Sequence, residues 1–158
     1  MFNRFTYSKE YKKLELALLK QNILLRHEDV ISYNLCKLSD NLVGRFNYST
    51  GQIDICVNNV DSPQRFDTVV LKGLIQYYDF IANGRKGFNS EQQYCSLVRA
   101  NVLSHACTGI TRFKSCIKDN VRKDIELLKS AETSTFEDAF DSVYEICVKD
   151  KKPFDLLS

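Results

Sequence analysis

At 158 residues, with 44% hydrophobic and 27% charged side chains, the chain has the size and make-up of one globular domain with a sizeable core. A net charge of +2, with no run of five like charges, argues against a basic nucleic-acid face. No apolar stretch approaches the ~20 residues that span a bilayer; the longest candidate, Phe66–Ile81, is broken by Asp67, Lys72, Gly73, Gln76 and Asp79. The opening MFNRFTYSKEYKK has neither the apolar core of a secretory signal nor the acid-poor, Arg- and Ser-rich pattern of a transit peptide.

Residues around Lys9–Leu25 carry Tyr11, Leu14, Leu18 and Leu25 at helical spacing, with Ser8 placed to cap the start. His27 comes next in a polar segment, Arg26-His27-Glu28-Asp29, which reads as a solvated or salt-bridged histidine. Asp40–Gly44 reads as a loop. Arg45–Tyr48 and Gln52–Val57 read as two strands, the second with Ile53, Ile55 and Val57 alternating with Gln52, Asp54 and Cys56. Ser49-Thr50-Gly51 joins them as a hairpin, with Gly51 supplying a positive φ.

Ser62 and Pro63 open the next helix. Val70, Leu74, Tyr77, Tyr78 and Ile81 give it a wide apolar face, and Asn83-Gly84 closes it. Gly73 in its interior costs about 1 kcal/mol against Ala. Either a neighbour approaches closely there, or a larger residue became unnecessary. A further helical region runs from Ser90 towards Ser130, with Tyr94, Leu97, Val98, Val102 and His105 on one stripe, and Thr108-Gly109 bends or divides it. Ser134 and Glu137 have capping-box spacing ahead of Phe140, Val143 and Cys147. Pro153 stops that last helix.

Cys36, Cys56, Cys95, Cys107, Cys116 and Cys147 are spread over the chain without a CxxC pair, so no zinc ribbon or thioredoxin-type site is indicated. Two readings stand: six buried thiols acting as small hydrophobes, or up to three disulfides in an oxidising compartment. Spacing does not choose between them, and six cysteines allow about fifteen pairings. His105, with Cys95 and Cys116, matches no standard zinc spacing and reads first as a packed or hydrogen-bonded histidine. No phosphate loop, GxSxG elbow or supported Cys/His pair appears.

The centre of Val69–Phe80, VVLKGLIQYYDF, carries the chemical question. A thermolysin-like zinc hydrolase sets two His four residues apart on one helix face, with a Glu after the first to activate the bound water. Here the corresponding positions hold Lys72, Gly73 and Gln76: a cation that repels a metal, a residue without a side chain, and a poor zinc ligand. Taken alone, Lys72 and Gln76 are polar positions on a core helix.

The surrounding landmarks give the helix more meaning. The chain resembles the mitochondrial inner-membrane metalloprotease family that matures and assembles ATP synthase. Ile55-Cys56 is similar to that family's strand end. Lys72-Gly73-Leu74-Ile75-Gln76 falls on its His-Glu-Leu-Ile-His, with Leu74 and Ile75 in agreement, and Tyr78-Asp79 matches the family's Tyr-Asp just beyond that motif. Cys95-Ser96 and Arg99-Ala100 match its Ala-Cys-Ser-Glu-Ile-Arg-Ala segment, where Leu97 stands at the Glu position. Leu103, Ser104, Cys107, Cys116, Cys147, Asp150 and Pro153-Phe154-Asp155 resemble later family landmarks. The resemblance runs from about Cys36 to Asp155 and leaves the N-terminal segment outside.

The resemblance implies an α+β, zincin-like minimal metalloprotease frame with a short hairpin, several helices and disulfide staples. It implies a protease-like domain at 35–158, and the uncovered segment at 1–34 reads as an N-terminal extension, helical by the spacing of its apolar residues. Family members are cysteine-rich and lie on the intermembrane-space side of the inner mitochondrial membrane, which turns the cysteine question towards disulfides. Lys72, Gly73, Gln76 and Leu97 then mark degenerate positions, with no catalytic residue, metal or cofactor. The expectation is a protein that is not an enzyme: an accessory subunit of a respiratory-chain or ATP synthase complex. Its partners would be protein subunits, which hold it at the membrane. The alternatives are an assembly factor for such a complex or an active metalloprotease with replaced ligands.

Overall fold

Ser8 accepts a hydrogen bond from the Tyr11 amide at 3.1 Å and opens α1, Lys9–Leu19, in the computed structural model, which describes residues 8–37, 42–84, 89–128 and 135–157. Tyr11, Leu14, Leu18 and Leu25 are all buried, as their spacing predicts. The helix itself stops at Leu19, because Asn22 turns the chain with a φ of 61°. Leu25 enters the core from the extended stretch beyond. His27 opens the single-turn α2, His27–Val30, and its Nε2 lies 2.5 Å from the Tyr11 hydroxyl. It therefore ties α2 to α1 through Tyr11.

The chain continues directly into β1, Ile31–Asn34, a strand that its sequence does not announce. β1 pairs in parallel with β3, Gln52–Cys56, from Ile31 opposite Ile53 to Asn34 opposite Cys56. β2, Gly44–Asn47, pairs antiparallel with β3 and places Phe46 opposite Ile53. The strand order is β1-β3-β2. The hairpin turn uses Gly51 at a φ of 71°, as expected. Val57 leaves the strand for a single 3-10 turn, Val57–Asn59. The expected loop at Asp40–Gly44 falls partly outside the described residues, and Gly44 already belongs to β2.

Ser62 and Pro63 start α3, Pro63–Ala82, and Asn83 and Gly84 end it. α4, Ser90–Leu103, opens with a capping box between Asn89 and Gln92. The chain then divides, as Thr108-Gly109 suggests: His105 and Gly109 both take positive φ before α5, Phe113–Leu128. His105 is thus exposed in a turn and not on the buried stripe of α4. α6, Phe136–Cys147, is capped by Thr135, which accepts from the Asp138 amide at 3.3 Å. The expected cap, Ser134, lies outside the described residues.

Apolar burial organises two packed groups. Tyr11, Leu14, Leu18, Val30 and Ile31 share one core with Phe46, Ile53, Val70 and Leu74. Tyr94, Leu97 and Val98 of α4 form the second with Ile117 and Val121 of α5 and Phe140 and Val143 of α6. α4 joins the two, since its Ala100 belongs to the first. The outer seam of α5 and α6 is regular: Lys114, Lys118 and Arg122 lie 4.7, 5.5 and 4.8 Å from the ring centres of Tyr144, Phe140 and Phe136.

All six cysteines are bonded, as Cys36–Cys56, Cys95–Cys147 and Cys107–Cys116. The choice left open by spacing falls to disulfides. The result is an α+β frame with a short hairpin and several helices, stapled three times. No helix among the described residues is long and apolar enough to cross a membrane.

Candidate functional site around the centre of α3

The middle turn of α3 faces β2 on one side and α4 and α5 on the other. Lys72, Gly73, Gln76 and Leu97 line one cleft there, together with Phe46, Tyr48 and Asp124. The four positions singled out from sequence are therefore brought together in space.

Gly73 is explained by contact. A Cβ at this position would meet three atoms of the Ile53 side chain at 2.7 to 2.8 Å. Ile53 is wholly buried and branched at Cβ, so it has little freedom to withdraw. Close approach of α3 to β3 requires glycine. Gly73→Ala will therefore lower stability by about 1–2 kcal/mol, overpacking exceeding the gain in helix propensity. Adding Ile53→Ala will recover part of the Gly73→Ala loss relative to Ile53→Ala alone, as read in a double-mutant cycle of denaturation midpoints.

Lys72 does not repel a charge here; it is paired. Its Nζ lies 2.9 Å from Oδ2 of Asp124 on α5, with the two side chains 19% and 22% exposed. Asn101 of α4 donates to the same oxygen at 3.3 Å and to the Leu97 carbonyl at 2.9 Å. A pair with this much solvent contact contributes on the order of 1 kcal/mol or less. Gln76 is buried beneath it. Tyr48 reaches the cleft from the hairpin, and burial pushes its hydroxyl well above the tyrosine range.

Behind the cleft lies a second polar cluster. Arg99 of α4 donates to Asp79 of α3 at 2.5 Å, and both are buried. The same guanidinium donates to the Lys152 carbonyl and lies 3.5 Å from Asp150. Landmarks far apart in sequence, Asp79, Arg99, Asp150 and the segment at Pro153, thus meet at one clamp. Burial raises the Asp79 carboxyl above its ordinary value, against the lowering effect of Arg99.

The remaining candidates do not join the cleft. Cys95 and Cys116 are committed to different disulfides, so they form no zinc site with His105. Among the described residues, no group of three or more His, Cys, Asp or Glu side chains is gathered to hold a metal ion. An ion-paired ammonium, a glycine and an amide do not fit the zinc ion that the resemblance would imply. Asp124 and Asn101 were not singled out from sequence. A signal existed for Asp124: with Ile117 and Val121 it continues the inward stripe of α5 at i, i+4 and i+7.

Residues 3–155, nearly the whole chain, match the model of the Peptidase M76 family. The chain belongs to this family. Its relatives include the mitochondrial inner membrane protease ATP23 homologue of Xenopus laevis, 31% identical over 91% of this chain and 66% of the relative. The human homologue of that name is 29% identical over 72% of this chain and 51% of the relative. The Debaryomyces hansenii protease ATP23 is 24% identical over 77% and 57%. The chain spans about half to two thirds of the length of these curated relatives. No solved structure matches it.

Membership in the M76 family bears out the resemblance read from the landmarks. It also takes in the N-terminal segment, since the match begins at residue 3. One expectation is corrected. The substituted α3 positions lead to the expectation of a protein that is not an enzyme, yet the family is a peptidase family and these relatives are named proteases. Three substituted positions on α3 weigh less than the kinship of the whole M76 frame.

Proposed function

We propose that this M76 chain works at the mitochondrial inner membrane, on its intermembrane-space side, as an accessory subunit of a respiratory-chain or ATP synthase complex. There it holds an extended segment of a neighbouring subunit against the α3 cleft. The observation that carries this reading is the cleft beside β2. β2 is the outer strand of the sheet, with no further strand paired to it among the described residues, and Gly44, Arg45 and Phe46 border the cleft. An extended polypeptide can add to such an edge through main-chain hydrogen bonds while its side chains enter the cleft. The names of the relatives support the location. Three disulfides support an oxidising compartment.

Purification of intact inner-membrane complexes from mitochondria making a tagged form tests this reading. The chain is expected to co-migrate with one complex at a fixed ratio. Migration free of every complex overturns it, and transient, substoichiometric association assigns an assembly factor instead. The family relationship favours a second reading, peptide hydrolysis in the same cleft. Cleavage of a mixture of quenched fluorescent peptides by the purified chain, measured against a buffer blank, tests that directly.

A further inference from the structure

α1 carries apolar side chains on two faces. Tyr11, Leu14, Ala17 and Leu18 are buried, on the side that packs against α3 and the final 3-10 turn, Phe154–Leu157. At 3.6 residues per turn, Leu16 and Leu19 fall on the opposite side, and they stay 46% and 54% exposed. Leu24, in the stretch just beyond the helix, is 66% exposed. Three of the nine large apolar side chains exposed among the described residues thus lie within Leu16–Leu24, a concentration rather than the single scatter normal on a surface.

The charges around these leucines are mostly of one sign. Lys12 and Lys9 are exposed one and two turns before Leu16, and Lys20 is exposed one turn beyond it. Glu10 and Glu15 sit nearer the borders with the buried face. From Lys9 to Arg26, five cations (Lys9, Lys12, Lys13, Lys20 and Arg26) stand against two carboxylates, a charge of +3. The whole chain carries only +2, so the remainder is slightly acidic and the positive charge is local to this face.

An apolar strip interleaved with lysines is a poor core for a protein–protein interface, from which Lys is depleted. It suits an anionic bilayer surface. There the leucines reach the acyl boundary, the lysine stems run along the apolar layer and the ammonium groups meet phosphates. The relatives carry the mitochondrial inner membrane in their names, while no helix among the described residues is long and apolar enough to cross one.

We propose that the outer face of α1 lies on an anionic lipid surface. Leu16, Leu19 and Leu24 enter the acyl boundary, and Lys9, Lys12 and Lys20 sit among the headgroup phosphates. This surface is separate from the α3 cleft, and neither reading depends on the other.

Flotation of the full chain, disulfides intact, with two kinds of vesicle tests the surface. One kind is phosphatidylcholine alone, and the other is phosphatidylcholine with about one third phosphatidylglycerol. Binding to the anionic vesicles is expected to be at least about tenfold tighter, and to weaken as salt is raised. Lys9→Gln with Lys12→Gln is expected to weaken it about 25-fold, about fivefold for each lysine. Leu16→Gln with Leu19→Gln is expected to weaken it by at least about tenfold. Lys114→Gln with Lys118→Gln removes the same charge from the seam of α5 and α6 and is expected to leave binding unchanged. Equal loss in the α1 and α5 lysine pairs overturns the proposal, since net charge and not this face would then govern binding. Equal binding to the two kinds of vesicle overturns it as well. No binding to either overturns the lipid surface, leaves the face to a protein partner and does not touch the reading of the α3 cleft.

Discussion

Replacing Arg99 by Met will destabilise the fold by about 3–5 kcal/mol, the loss expected when one partner of a buried ion pair is removed. Asp79 is buried and takes its charged partner from Arg99 alone among the ion pairs described. The substitution also frees the Lys152 carbonyl and Asp150, so the last segment loses its tie to α4. The double variant Asp79→Leu with Arg99→Met will be less damaged than Arg99→Met alone, because no charge remains buried without a partner. Urea denaturation of the three proteins measures this; a double variant as unstable as the single one would sink the account.

The same substitution has a pH signature. Burial holds the Asp79 carboxyl above its ordinary value, with Arg99 opposing the rise. A raised native value means that the native state binds this proton more tightly than the unfolded chain does. The associated stability is present below the ordinary carboxylate range, about 3.9 for Asp, and is lost as pH rises through the raised value. Without Arg99 the value rises further, so the loss continues to higher pH. The deficit of Arg99→Met against the unsubstituted chain will therefore be smaller at pH 4.5 than at pH 7.

The second large effect belongs to Cys95–Cys147. This bond joins α4 to the end of α6 across 52 residues, whereas Cys107–Cys116 spans 9. In the chain-entropy picture the long closure stabilises by about 4 kcal/mol and the short one by about 2.5 kcal/mol. Cys95→Ala with Cys147→Ala will accordingly lower the denaturation midpoint more than Cys107→Ala with Cys116→Ala. Both cysteines of the long bond pack in the second core, so the variant will also loosen α6 against α4. Hydrogen exchange of the α6 amides reports that loosening separately from global stability.

The M76 relationship was legible because it rests on residue types at ordered positions along the chain. Asp79, Arg99, Asp150 and Pro153 could be matched one by one without knowing that they touch. What they do was not legible, since a clamp between residues 20 and 53 apart is made by packing α3, α4 and the final segment together. Lys72, Gly73 and Gln76, read by themselves, point away from an enzyme, whereas the chain as a whole belongs to a family of peptidases.

Local chemistry was within reach of the sequence itself. Ser8 and Ser62 as caps, Pro63 at a first turn, Gly51 in a hairpin and the break at Gly109 each depend on a few neighbouring residues. Tertiary structure alone decided the rest. β1 has no alternating pattern and exists because β3 supplies its hydrogen-bond partners in parallel. The three disulfides reflect which helices and strands lie side by side. Gly73 is glycine because Ile53 occupies its side-chain space, and Lys72 is neutralised by an aspartate 52 residues further on. These are contacts between segments far apart in the chain. Their energies come from proximity that only the folded packing creates, which is why no local pattern carries them.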